Sequence, residues 1–346
     1  MSRSLLHIWY EDHPAPWWLR ALVPVYRGLR ALHLAPWRLG WRQPVRLPLA
    51  VLVVGNLTVG GSGKTPLVIA LVEALRERGF RPGVVSRGHG GSAPGPLLVD
   101  AGSTPATVGD EPCLIRRRTG APVAIGRDRP RAAALLPAQG VDLVIADDGL
   151  QNPALARDLE ICVIDGRRRF GNGRLLPAGP LREPLSRLAS IPFRVCNGGT
   201  PGPGEIPMTL DGDTAVALAD AGVRRPLADF AGQRVHAVAA IGNPQRFFAS
   251  LQARGIEVVA HPFPDHHAFS VEDFSFDDGL PLLMTEKDAV KCAPFARHAW
   301  WSVPVRAVLP AEFLDALAAR LREPARIAGG RIRPRRPRSG DRAGAG

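Results

Sequence analysis

After position 46 the chain falls into short apolar runs separated by stretches of mixed polarity. Leu47–Gly55, Gly83–Ser86, Pro122–Ile125, Val141–Ala146, Leu159–Ile164 and Phe193–Cys196 are nearly continuous in apolar residues, with little polar alternation. Strands buried on both faces read this way, and the intervening segments have room for helices. One of these, Pro66–Arg78, carries proline in its first turn and is stopped by Gly79. The pattern predicts an α/β fold: a mostly parallel sheet with helices on both faces.

Beyond the last run, TPGPGEIPMTLDGD (200–213) is rich in proline and glycine and reads as a linker into a hairpin. A smaller second α/β lobe follows. Its expected strands are Arg234–Ala240, Val258–His261, Leu282–Met284 and Val305–Leu309, with a helix after Asn243-Pro244 and a closing amphipathic helix over Glu312–Leu321. The expected organisation is therefore a helical arm over 1–46, a core over 47–205, a second lobe over 206–325 and a basic, disordered tail over 326–346. No internal repeat is visible.

The arm differs from the rest in composition. It holds five of the seven tryptophans (Trp9, Trp17, Trp18, Trp37, Trp41), interleaved with leucine and arginine. An amphipathic helix of this kind suits a lipid headgroup region, and packing against the core would satisfy the same residues. No run of 18 apolar residues and no cleavable leader pattern is present, so neither a membrane span nor export is expected. Four widely spaced cysteines, with no C-x-x-C pair, read as reduced core residues. Formal charge is +12, which favours an anionic partner. The basic residues are nearly all arginine, with lysine only at 64, 287 and 291, so each lysine is informative. The basic residues cluster with tryptophan and leucine near one end, or in the tail, and no reading motif accompanies them, which argues against nucleic acid.

The chemistry concentrates in a few motifs. Thr58-Val59-Gly60-Gly61-Ser62-Gly63-Lys64-Thr65 lies between a buried strand and a helix, the setting in which backbone N–H groups converge on phosphate oxygens. Lys64 would reach the terminal phosphates and Thr65 would offer a hydroxyl to Mg²⁺. Thr58 stands where such loops usually begin with glycine. Val59 replaces the signature lysine of the switch ATPases with a deviant loop. Thr285-Glu286-Lys287-Asp288 misses the guanine-reading pattern by one place, so ATP is favoured over GTP. A second acidic element ends the strand in VDLVIADDGLQ, where Asp147 or Asp148 would hold Mg²⁺. In Gly109-Asp110-Glu111-Pro112 one carboxylate is placed to accept a hydroxyl proton and the other to help hold the metal; a helix N-cap at Asp110 is the competing reading. HPFPDHHAF in the second lobe carries His261, His266 and His267 without a further His/Cys cluster, which suits a histidine orienting an acid–base carboxylate on closure better than a metal site. A nucleotide-dependent switch acting on an anionic membrane partner would explain the loop and the charge, but not this acid pair with a second-lobe histidine.

Taken together, GNLTVGGSGKTP, VSRGHGG, GDEP, DDGLQ, GNGRLLPAGPLREP, FPDHHAF and MTEKDAVK resemble the tetraacyldisaccharide 4'-kinases of lipid A biosynthesis, over residues about 4 to 320. The resemblance implies a P-loop NTPase-type core, threonine as a common first loop residue, and transfer of phosphate from ATP, with Mg²⁺, to a glycolipid. The implied setting is the cytoplasmic face of the bacterial inner membrane, as a peripheral or monotopic monomer. It makes Asp110 the base, His266 its partner, and Glu111, Asp147 and Asp148 the metal-associated acids. Arg87, Arg174 and Arg182 become candidate contacts to the sugar or its 1-phosphate, equally compatible with a proline-fixed structural loop. Asn152 and His89 depart from the residues common in that family.

Overall fold

The uninterrupted apolar runs form strands that are covered on both faces, as their lack of alternation requires. A computed structural model of the chain describes residues 3–11, 13–276 and 278–323. Eight strands come first: β1 (Ala50–Gly55), β2 (Pro82–Ser86), β3 (Leu97–Val99), β4 (Val123–Ile125), β5 (Leu143–Asp147), β6 (Leu159–Asp165), β7 (Phe193–Asn197) and β8 (Ile206–Asp211). The later strands are β9 (Thr214–Ala217), β10 (Arg224–Pro226), β11 (Arg234–Ala239), β12 (Glu257–Pro262), β13 (Leu282–Thr285), β14 (Trp300–Val303) and β15 (Arg306–Val308). They make two sheets, ordered β15-β8-β7-β6-β1-β5-β2-β4-β3 and β10-β9-β14-β13-β11-β12. In the first, β1 lies between β5 and β6, parallel to both, with Val54 opposite Asp147. That register brings the end of the glycine-rich strand beside the acidic end of its neighbour.

Helices α1 (Arg3–Tyr10) and α2 (Trp17–Arg38) form the arm. They are followed by α3 (Lys64–Glu77), α4 (Pro105–Val108), α5 (Asp110–Thr119), α6 (Arg129–Ala133), α7 (Pro244–Gln252), α8 (Glu286–Cys292) and α9 (Ala311–Arg322). On one face of the first sheet, Leu67, Leu71 and Leu75 of α3 pack with Ile115 of α5 and Leu317 of α9 against Leu52, Val54, Ile145 and Ile161. The opposite face is closed by Ala132, Leu136, Leu150, Leu155 and Leu181 over Val51, Val53, Val144 and Ile164. At ~25 cal/mol per Å² of apolar surface, these side chains supply most of the drive for folding. All four cysteines are buried free thiols.

The expected hairpin after residue 200 is corrected by the sheet order. β8 joins β7 and β15 in the first sheet, whereas β9 joins β10 and β14 in the second. Gly212 sits at the crossover, where a Cβ would stand 2.5 Å from the Pro304 carbonyl. Turn residues mark where a chain changes direction; they do not say which sheet edge receives each strand. The core consequently resumes at Arg306, and β15 and α9 belong to it rather than to the second lobe. The expected tail over 326–346 lies outside the described residues.

The arm packs with one stripe and leaves another open. Trp9 and Leu19 are buried, Tyr26 Oη donates to the Arg182 carbonyl at 2.9 Å, and Arg30 pairs with Glu183. One position round the helix, Trp18, Leu22, Val25, Leu29 and Leu32 are exposed at 4-3-4-3 spacing, with Leu32 at 71%. Among the described residues no helix is long and apolar enough to cross a membrane.

Candidate active site

The loop 58–65 is shaped by its own backbone and held by neighbours on three sides. Gly63 adopts φ 91°, and a Cβ there would fall 2.0 Å from Asn197 Nδ2, so both conformation and space demand glycine. Asn197 Nδ2 donates to the Ser62 carbonyl at 2.9 Å and its Oδ1 accepts from Arg246 at 2.8 Å. Thr58 forms a bridge with Leu181, and Val59 N donates to the Pro180 carbonyl at 2.9 Å. The Val59 carbonyl in turn accepts from Tyr10 Oη of the arm at 3.2 Å. From the second lobe, Gly242 touches the loop so closely that a Cβ on it would lie 2.3 Å from Gly61 N.

Lys64 opens α3, following left-handed Gly63, and its Nζ lies 3.2 Å from Asn56 Oδ1 and 3.7 Å from Asp148 Oδ1. Asp148 has φ 47°, a left-handed conformation that costs a non-glycine residue about 1 kcal/mol. Burial alone would raise its carboxyl; Lys64 and Arg182, the latter 3.1 Å away, hold it down at about 2. Arg182 also reaches Gln151 Oε1 at 3.2 Å, and Gln151 Nε2 donates to Glu183 at 2.9 Å, so a polar chain runs from the loop to Arg30 on α2.

Asp147 is fully buried, yet neither carboxylate oxygen has a hydrogen-bond partner. Burial, then the charges of Glu111 and Asp148, push its pKa up. A buried carboxylate with two free oxygens beside a phosphate loop and Thr65 fits a divalent cation. Glu111 is differently placed, with Oε1 3.0 Å from Lys287 Nζ. The only His/Cys/Asp/Glu triad gathered within 4.8 Å among the described residues is His7, Glu11 and His13 on the arm, so Glu111, Asp147 and Asp148 do not converge on one point.

Opposite the loop, α5 of the core meets α8 and the loop after β12. Gly109, not Asp110, occupies the N-cap position, which frees the buried Asp110 carboxylate for tertiary contacts. Both Asp110 oxygens lie 3.1 Å from His266 Nδ1. Lys287 Nζ stands 3.4 Å from His266 Nε2, 3.3 Å from Asp265 and 3.8 Å from Asp110, and Lys291 is 3.9 Å from Asp110. Burial pushes the Asp110 carboxyl up; the His266 hydrogen bond and the two ammonium groups outweigh it and hold the pKa below its ordinary value. The same hydrogen bond leads the causes that raise His266. His266 itself has φ 62°, a second strained position, and its ring meets that of His89 edge-on with centroids 4.8 Å apart.

Other expectations separate from this cluster. His261 bonds His236 at 2.9 Å, and His267 bonds Asp273 at 3.1 Å; both act inside the second lobe. Asp288, the acid of the near-miss guanine motif, accepts from Ala240 N and Thr285 Oγ1 and is fully buried, so no base can reach it. Arg87 is exposed at the end of β2, and Arg174 lies exposed against the arm, its carbonyl accepting from Leu181 N at 3.1 Å. Sequence reasoning assigned no role to Lys287 and Lys291. Their signal was present in an otherwise lysine-free second lobe.

The chain is similar to known proteins over most of its length. A model of the family described as tetraacyldisaccharide-1-P 4'-kinase matches residues 15–322. The chain is 53% identical over 323 residues to the tetraacyldisaccharide 4'-kinase of Stenotrophomonas maltophilia, covering 90% of this chain and 95% of that one. It is 50% identical over 333 residues to that of Xanthomonas campestris, covering 90% and 94%. Among solved structures, the "apo" form of LpxK from Aquifex aeolicus in complex with ATP is similar with a TM-score of 0.71 and 27% identity, covering 87% of this chain and 98% of that one.

Proposed function

The chain belongs to the tetraacyldisaccharide-1-P 4'-kinase family, and from that premise we propose that Lys64 and the loop 58–65 bind ATP while Asp110 directs a sugar hydroxyl at its γ-phosphate. The acceptor is the 4'-hydroxyl of a tetraacylated glucosamine disaccharide 1-phosphate, giving lipid IVA. The observation that carries this reading is the Asp110–His266 pair, 3.1 Å apart, joined across the two lobes.

An alcohol has a pKa far above 7, so its proton leaves only as the bond to phosphorus forms. Asp110 is ionised beforehand, because His266 and Lys287 favour its charged form, and it accepts that proton at a carboxylate oxygen. His266 fixes the orientation of the carboxylate and, as an imidazolium, would lose attraction to it once the proton arrives; the neighbouring acid Asp265, 3.8 Å from its Nε2, offsets part of that cost. Lys64 neutralises charge on the terminal phosphates, and Arg182 keeps Asp148 ionised beside it. Asp147, Thr65 and Asp148 would hold Mg²⁺, whose chemistry when bound would be withdrawal of charge from the terminal phosphates. Close approach of Gly242 to Gly61 sets the second lobe directly against the loop.

The open apolar stripe of α2 supports membrane contact at the cytoplasmic face of the inner membrane, where a tetraacyl lipid resides. The decisive experiment measures transfer of radiolabelled phosphate from ATP to the disaccharide 1-phosphate in mixed micelles. Labelled product that co-migrates with lipid IVA is expected; folded protein that leaves the lipid unlabelled overturns the assignment.

A further inference from the structure

Three side chains at the elbow of the arm play no part in the reaction described above. His7, Glu11 and His13 each bring a donor atom within 4.8 Å of the other two. His7 and Glu11 stand four residues apart across the end of α1, so they share its outward face, and His7 Nδ1 lies 2.5 Å from Glu11 Oε2. Past the helix, Glu11 N donates to the His7 carbonyl at 3.0 Å and His13 N to the Glu11 carbonyl at 2.7 Å. The second of these bonds folds the chain back and sets the two imidazoles edge-on, with centroids 6.2 Å apart and planes at 83°. A helical ion pair would account for His7 and Glu11 alone; it does not account for the arrival of His13 on the same two groups.

The backbone that carries these donors is held by the core. Trp9 is buried on the inward face of α1, and its Nε1 donates to the Pro177 carbonyl at 2.9 Å. The Trp9 carbonyl accepts from Asn172 N at 2.8 Å, and Asn172 Nδ2 donates to the Ile8 carbonyl at 3.0 Å. Gly171 has φ 56°, and a Cβ on it would strike the Trp9 carbonyl at 2.3 Å. On the outer side, Glu11 and His13 line a cleft of about 320 Å³ between the arm and the core, which leaves room for an ion with its remaining water ligands.

The donor set selects the kind of ion. Two imidazoles and one carboxylate suit Zn²⁺ and the borderline metals beside it, whereas Mg²⁺ prefers oxygen alone. Donors bound to tetrahedral Zn²⁺ at about 2.0–2.1 Å lie roughly 3.3 Å from one another. Reaching that spacing requires only rotation of side chains that are all exposed. Three protein donors leave the fourth position to water.

We propose that His7, Glu11 and His13 form a Zn²⁺ site that clamps the elbow of the arm. The ion ties the end of α1 to the segment that leads into α2. Between its ligands lie Trp9, seated on the core, and Tyr10, whose Oη donates to the Val59 carbonyl at 3.2 Å, so the clamp steadies the arm where it touches the glycine-rich loop. The site makes no use of the proposed reaction and stands or falls separately from it.

The test uses the full-length protein without an affinity tag, its four cysteines kept reduced, with excess Mg²⁺ to compete at the oxygen-rich side of the active site. Co²⁺ serves as the spectroscopic probe and Zn²⁺ as its competitor, on wild type, E11Q and H7N/H13N. Wild type is expected to bind one Co²⁺ with the visible absorption of a low-coordinate ion, and one equivalent of Zn²⁺ should displace it. Loss of an outer-shell partner costs about 10–100-fold in metal affinity, so E11Q should weaken Zn²⁺ at least about tenfold and the asparagine pair at least about a hundredfold. Zn²⁺ should also slow amide exchange over residues 7–13 of wild type and leave that segment of H7N/H13N unchanged. If H7N/H13N, with an unaltered melting temperature, binds both ions as wild type does, the proposal is overturned. Binding by wild type only at millimolar Zn²⁺ overturns it equally.

Discussion

The two sides of the site are assembled differently. On the nucleotide side, one continuous stretch, 58–65, takes its shape from glycine conformations and strand-to-helix geometry, and it is pinned by backbone bonds from Pro180 and a side chain from Asn197. On the acceptor side, Asp110, His266 and Lys287 come from segments more than twenty residues apart and meet only through side chains at a contact between lobes. A backbone-built site is insensitive to most neighbouring side chains. A side-chain cluster depends on each member and on the docking of the lobes, so the two halves should respond separately to substitution.

The largest effect tests that separation directly. Asp110→Asn should lower kcat by about 10³-fold, within the range for loss of a general base, while ATP affinity stays close to wild type. Lys64→Met should weaken ATP binding as well as turnover, because its ammonium serves the phosphates. If Asp110→Asn also loses nucleotide binding, as read by equilibrium titration, the two halves are one unit and the comparison breaks.

Legibility followed the same division. The loop, the strand that feeds it and the acidic end of β5 could be read from residues 47–65 and 141–148, because strand burial and glycine spacing are local properties. Residue types suggested a GDEP carboxylate as proton acceptor and a second-lobe histidine to orient it, but the choice of Asp110 and His266 rested on resemblance, since nothing local says that GDEP and DHH meet. Lys287 was visible only as an unusual lysine; its three acidic neighbours and His266 come from α5 and the loop after β12, a tertiary juxtaposition. The fate of β8, β9 and β15 was hidden for a similar reason, because pairing partners are chosen by sheet edges far along the chain.

His266→Ala should cost less than loss of the base, about 10²-fold in kcat, and it carries a pH signature. The His266 hydrogen bond is the first of the causes that lower Asp110, and burial opposes it; without the imidazole the Asp110 pKa rises. The acid limb of the kcat profile should therefore move to higher pH. Stability gives a second sign. His266 has a raised folded pKa, so its contribution is complete below about 6.5 and is lost as pH climbs through the folded value. Asp110 is lowered, so its contribution is present above about 3.8 and lost as pH falls through its folded value. Melting temperature in wild type should decline on the alkaline side of His266, and the variant should lack that decline. An unmoved acid limb would remove His266 from the poising of Asp110.

Lys287→Met should have a smaller effect, about tenfold in kcat, because Lys291 still lies 3.9 Å from Asp110. It leaves Glu111 and Asp265 without their ammonium partner, so closure of the second lobe should also weaken. The readout is a Lys287→Met, Asp265→Asn double-mutant cycle on kcat. Strong coupling places the lysine in lobe docking, whereas additive losses assign it to Asp110 alone.

The smallest effect on chemistry should come from the arm, and it tests whether the loop side extends to the membrane. Leu22→Ser with Leu29→Ser alters the exposed stripe and leaves Leu19, Tyr26 and Arg30 on the docked stripe. Each leucine is worth roughly 1.5–3 kcal/mol when fully transferred from water, so partial immersion of two should still change partitioning about tenfold or more. Sedimentation with anionic liposomes should fall accordingly, while kcat in detergent micelles changes less than about twofold, because the groups that touch the phosphates remain in place. Undiminished sedimentation would mean that this stripe does not face lipid. A large loss of kcat in micelles would instead show that α2 transmits strain through Arg30 and Glu183 to Gln151 and the nucleotide loop.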